Sequence, residues 1–103
     1  MSDLPKPPET HDDFVRAFPK LAQAWETVGN AGRQGPLDEK TARLVKLAVA
    51  VGCQQEGAVH ASVRKGLAMG ITREELEHVI VLAAGTLGFP RAVAAYTWIK
   101  DLL

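Results

Sequence analysis

Cys53, Glu56 and His60 are the residues whose types and spacing could do chemistry together. A thiol is a nucleophile once deprotonated, and a carboxylate beside an imidazole makes an acid–base pair. Gly52 ends or kinks the preceding apolar stretch, and the pattern predicts a helix from about Cys53 to Met69. Cys53 then falls in the first turn, where free backbone N–H groups and the positive dipole end favour a thiolate. Positions i, i+3 and i+7 share one helix face, so Glu56 neighbours both Cys53 and His60. Thiol and imidazole stand two turns apart, about 10.5 Å along the axis, too far to touch directly. Glu56 and His60 at i,i+4 fit an acid–base pair and also the spacing of a single-helix metal site, although no metal and no cofactor is expected. Against these readings stand plainer ones. A lone cysteine is usually a small buried hydrophobe, and an i,i+4 Glu–His pair is often surface decoration.

The elements that must carry these residues read as helices throughout. Phe14, Phe18, Leu21, Trp25 and Val28 recur at helical spacing, and Pro19 divides them into a short helix and a longer one. Thr10 resembles a hydroxyl cap for the first. Gly29 to Pro36 reads as a loop. Asp38 suits an N-cap for a largely buried helix carrying Leu44, Val45, Leu47, Ala48, Val49 and Val51. Gly70 suits a helix stop, and Thr72 with Glu75 matches a capping box opening the next helix. The buried stripe there is expected at Leu76, Val79, Ile80, Leu82 and Ala83, and a last helix from Arg91 to Leu103 is expected to carry Val93, Tyr96, Ile99 and Leu102. No stretch alternates with period two. The expected fold is all-α, a single-domain bundle of five or six helices over residues 10–103, behind a flexible N-terminal arm at 1–9.

Bulk composition narrows the function classes. Lys+Arg and Asp+Glu number 12 each in 103 residues, so net charge is zero and charge-driven binding to nucleic acid or a membrane surface is not expected. One cysteine forbids an intrachain disulfide and a multi-cysteine metal site. No signal-peptide core or bilayer-length apolar run is visible, so a cytoplasmic location is expected. Hydrophobic residues make up 47%, which with zero net charge favours a homo-oligomer. Trp25, Trp98, Tyr96, Phe14 and Phe18 suit core or subunit contacts, and His11 and His78 suit the surface.

The run from Lys40 to Cys53, His60-Ala61-Ser62, Gly66 to Leu76, Gly88-Phe89-Pro90 and the alanine-rich end resemble the carboxymuconolactone decarboxylase and alkyl hydroperoxidase D family. The resemblance covers about residues 37–98. It implies a helical fold assembled as trimers or hexamers, with sites near subunit contacts. In the hydroperoxidase branch the motif is Cys-x-x-Cys-x-x-x-His, whose cysteines cycle through a disulfide. Here Cys53 matches the first cysteine and His60 the histidine, but Glu56 stands in place of the second cysteine. The family's upstream glutamate is missing too: Thr41 or Arg43 occupies its place, depending on the gap.

The resemblance therefore implies a thiol-dependent, peroxidase-like activity with a single redox cysteine and an external thiol reductant. A second reading follows the decarboxylase branch. It is a lyase or isomerase acting on a small carboxylic acid or lactone, with Glu56 and His60 moving the proton and Lys46, Arg64 or Arg43 holding the carboxylate. A third is a non-enzymatic oligomeric binding module. A closed surround for Cys53 would favour the third, and a well-formed pocket there would count against it.

Overall fold

Six helices and no strand form among residues 4–103, which the computed structural model describes. They are α1 (Glu9–Ala17), α2 (Pro19–Gly32), α3 (Glu39–Gly52), α4 (Glu56–Ala68), α5 (Arg73–Leu87) and α6 (Phe89–Lys100). The all-α expectation holds. The first three residues of the expected N-terminal arm lie outside the described ones; residues 4–8 are not helical.

Local chemistry sets most boundaries. Pro19 opens α2 at its first turn, where the missing N–H costs nothing. Asp38 caps α3 by accepting the Thr41 N–H at 2.7 Å. Thr72 and Glu75 form the reciprocal capping box of α5: the Glu75 N–H donates to Thr72 Oγ1 at 3.1 Å, and the Thr72 N–H donates to Glu75 Oε1 at 2.9 Å. Gly70, with φ +86°, lets α4 end in a Schellman turn, with Ile71 N–H on Gly66 O and Gly70 N–H on Leu67 O. Gly88 alone joins α5 to α6, at φ +89° and ψ 162°, a conformation that is essentially glycine's own.

The helices pack as two pairs, α3 with α4 and α5 with α6, stacked so that α3 meets α5 and α4 meets α6. Leu47, Val51, Val59, Val63, Leu76 and Ile99 are fully buried between them. Each such side chain contributes roughly 1.5–3 kcal/mol of apolar burial. Lys40 of α3 pairs with Glu75 of α5 where the two helices start.

Several expectations of detail need correcting. Pro8, not Thr10, precedes α1, with no side-chain cap. The glycines at 29 and 32 belong to α2, so the loop begins at Arg33. In α3 only Leu47, Ala50 and Val51 are buried; Val45 and Val49 are exposed. Leu82 is 68% exposed, so the stripe on α5 is Leu76, Val79 and Ile80, with Ala83 partly buried against the core. α6 starts two residues early and buries Ala92, Ala95 and Ile99 rather than Val93 and Tyr96. On α3 and α6 the alanines Ala50, Ala92 and Ala95 are buried while Val49 and Val93 face outward.

α1 and α2 bury no residue. They pack on each other, and their apolar side chains Phe14, Phe18, Leu21, Trp25 and Val28 are 52–70% exposed.

Candidate functional site

Cys53 does not open a helix. It caps the C-terminus of α3 with φ −81° and ψ −4°, at the negative end of the dipole, and α4 starts three residues later at Glu56. The cause is Gln54. It takes the left-handed conformation (φ 55°) that most chains give to glycine and so completes a second Schellman turn. Gln54 N–H donates to Val51 O and Gln55 N–H to Ala50 O, while the Gln54 side-chain amide donates to Val51 O at 2.8 Å. Cys53, Glu56 and His60 therefore do not share one helix face.

The three candidates divide into two places. Cys53 is exposed and lines a cavity of about 770 Å³ between α2, α3 and α4. Its walls are apolar at Ala22, Trp25, Val28, Val49, Ala50, Ala58 and Ala61, and cationic at Arg33, Arg43, Lys46 and Lys65. Glu26 is the one acid in the lining, and Gln55 and Ser62 add neutral polar groups. Arg43 Nε is shut away from solvent and meets no acceptor among the described residues. Burial holds the Arg43 guanidinium below the usual arginine value. Burial, then the cations Arg43, Lys46, Arg64 and Arg33, hold the Lys65 ammonium below the usual lysine value.

Glu56 and His60 are absent from that lining. Glu56 is the first residue of α4, where the dipole favours a carboxylate, and His60 lies one turn on. His60 Nε2 stands 3.2 Å from Asp101 Oδ2 at the end of α6. One ligand atom from each of Glu56, His60 and Asp101 falls within 4.8 Å of the others. An imidazole held between two carboxylates can move a proton, and the same nitrogen and oxygen donors could take a divalent cation. Glu56 and Asp101 are both exposed.

Sequence reasoning missed Asp101, Lys65, Arg33 and Glu26. Asp101 lies 41 residues from His60, and only the packing of α4 on α6 joins them. Lys65 at i+3 from Ser62 and Lys46 at i+3 from Arg43 carried a faint periodic signal. His78 lies with Thr41, Leu44 and Glu75 at a smaller, mostly apolar cavity of about 460 Å³.

Residues 19–101, most of the chain, match the model of the carboxymuconolactone decarboxylase family. The chain belongs to this family. An uncharacterised protein of Methanocaldococcus jannaschii, MJ1511, is 33% identical over 100 residues, covering 93% of this chain and 91% of the relative. The crystal structure of apo-lpg0406, a carboxymuconolactone decarboxylase family protein from Legionella pneumophila, superposes with a TM-score of 0.78 at 26% identity. That match covers 90% of this chain and 84% of the other. Among the described residues of this family member no helix is long and apolar enough to cross a membrane.

Proposed function

We propose that this carboxymuconolactone decarboxylase family protein is a thiol-dependent, peroxidase-like enzyme with Cys53 as its single redox residue. The observation that carries the reading is the exposed Cys53 thiol on the wall of a cavity large enough for a small molecule. A closed, apolar surround would have pointed to a binding module instead.

In this reaction the Cys53 thiolate attacks one peroxide oxygen. The S–O bond forms as the O–O bond breaks, and the electron pair leaves on the departing oxygen, which takes up a proton as alcohol or water. The sulfur is oxidised to sulfenic acid and the peroxide is reduced. An external thiol then condenses with the sulfenic acid, releasing water, and a second thiol equivalent reduces the mixed disulfide. Arg43, Lys46 and Lys65 line the same cavity as Cys53, and their positive charge there favours an anionic departing group.

The test is consumption of cumene hydroperoxide with dithiothreitol. Cys53→Ser abolishes turnover and His60→Ala leaves most of it; turnover unchanged in Cys53→Ser would sink the reading.

A second reading has its own observation, the proximity of Glu56, His60 and Asp101. Here His60 and Glu56 move the proton in a lyase or isomerase reaction on a small carboxylic acid or lactone, and Asp101 orients the imidazole. Activity on such a compound that needs Glu56 and His60 but survives Cys53→Ser would favour it.

Self-association belongs to both readings. The apolar face of α1 and α2 has no partner within the described residues, and a second copy of the chain would cover it. A trimer or hexamer is the assembly expected from the family. Sedimentation measurements on Phe18→Asp and Leu21→Asp check this, with a shift toward monomer as the expected outcome.

A further inference from the structure

We propose that the cavity beside Cys53 binds a small organic phosphate, with Arg43, Lys46 and Lys65 on the phosphate head and Trp25 against an apolar body. To the extent that this ligand is a substrate, the inference rests on the Cys53 reading; binding itself does not.

The first argument is charge. The whole chain is neutral, yet the cavity lining holds four cations, Arg33, Arg43, Lys46 and Lys65, against the single carboxylate of Glu26. Outside the cavity Arg16 pairs with Asp13, Lys40 with Glu75 and Arg73 with Glu77, while the remaining cations are spread over the surface rather than gathered in one lining. Arg43, Lys46 and Lys65 pair with no carboxylate among the described residues, and Arg33 donates only to the neutral amide of Asn30.

The second argument is hydrogen-bonding chemistry. Arg43 lines the cavity with no carboxylate on its guanidinium among the described residues, and burial disfavours its charge. A guanidinium fork flanked by two ammonium groups suits an oxyanion with several acceptor oxygens. Arg43 and Lys46 stand one turn apart on α3, and Lys65 and Arg33 line the same cavity, where the like charges disfavour the charged form of Lys65. Concentrated positive charge favours a dianionic head. A single carboxylate leaves most of that charge unmatched, and a phosphate monoester carries up to two negative charges on one group.

The third argument is shape. The remaining lining is mostly apolar, with Trp25 as its largest side chain, so the body of the ligand is apolar or aromatic.

The experiment is calorimetric titration of the full chain with phenyl phosphate, inorganic phosphate and benzoate. Alkylation of Cys53 by iodoacetamide is followed in parallel. Phenyl phosphate is expected to bind at least about tenfold more tightly than benzoate, a difference of about 1.4 kcal/mol, and more tightly than inorganic phosphate. It should also slow alkylation of Cys53. Lys46→Gln and Lys65→Gln, both at exposed positions, should each weaken it severalfold while melting as cooperatively as the parent.

No saturable binding at millimolar phenyl phosphate, or binding unchanged in both variants, overturns the proposal. Equal affinity for inorganic and phenyl phosphate overturns the role given to Trp25. Phenyl phosphate binding in a protein whose peroxide turnover ignores Cys53→Ser upholds the site and removes the peroxidase reading. Cys53-dependent turnover with no phosphate binding does the reverse.

Discussion

Gln54 is where the chain departs from common practice, and its substitution has a calculable result. It is the only non-glycine residue with positive φ among those described. It occupies the left-handed position of the turn that ends α3, a place where a side chain costs about 1 kcal/mol relative to glycine. Its own amide offsets that cost by donating to Val51 O at 2.8 Å, worth about 1 kcal/mol. Gln54→Ala keeps the strain and loses the bond, so stability should fall by about 1 kcal/mol. Gln54→Gly loses the bond and the strain together, so it should stay within about 0.5 kcal/mol of the parent. Urea titration at constant m-value measures both, and the gap corresponds to roughly 4–8 °C in melting temperature for a domain of this size. Two variants of equal stability, or an alanine variant more stable than the glycine one, would refute the assignment of strain to Gln54. Because the same turn places Cys53, the iodoacetamide rate should stay near parental in Gln54→Gly.

Other outcomes follow from the packing and the charges. Gly66 is buried in α4, and an added Cβ would meet Ile71 Cδ1 and Leu76 Cδ2 at 3.5 Å, ordinary contact. Gly66→Ala should therefore stabilise the protein by about 0.5–1 kcal/mol through helix propensity, read as a higher urea midpoint. The Lys40 ion pair, with the Thr72 N–H, holds Glu75 below the usual carboxylate range, and hydrogen bonding from Thr41 does the same for Asp38. Their folded pKa values lie below the unfolded ones, so their contribution is present above the ordinary carboxylate pKa and is lost as pH falls through the folded values. Urea midpoints should drop between about pH 6 and about pH 3, and drop less in Lys40→Met. Lys65 is shifted the other way for its type: the fold disfavours its charged form. Lys65→Gln should raise the urea midpoint at low salt, with a gain that shrinks as added salt screens the cluster.

The sequence was informative wherever a backbone group had one specific side chain to satisfy it. Asp38, the Thr72–Glu75 box, Gly70 and Pro19 each mark a boundary that the structure keeps. It misled where two residues could do one job. Gly52 does end α3, but glycine is the usual left-handed residue at a helix end, so Cys53 looked like the next start; Cys53 is the cap, and Gln54 fills the left-handed position. The helix faces were blurred by alanine. Ala92 and Ala95 are buried while Val93 is exposed, so hydrophobicity alone does not mark the packed face of α6. The cationic cavity and the Asp101 contact were hidden for another reason. Both are assembled from distant segments, and spacing within one helix carries no trace of them.

The α1–α2 hairpin gives the cavity six residues, from Ala22 to Gly32, and gives the hydrophobic core none. Substitutions on that wall alter what the pocket can hold while barely touching the energy that keeps α3 to α6 folded. Relatives can thus diverge in ligand preference along one helix without crossing a stability threshold. A search for specificity differences across the family should begin at Trp25, Glu26 and Val28, before the motif around Cys53.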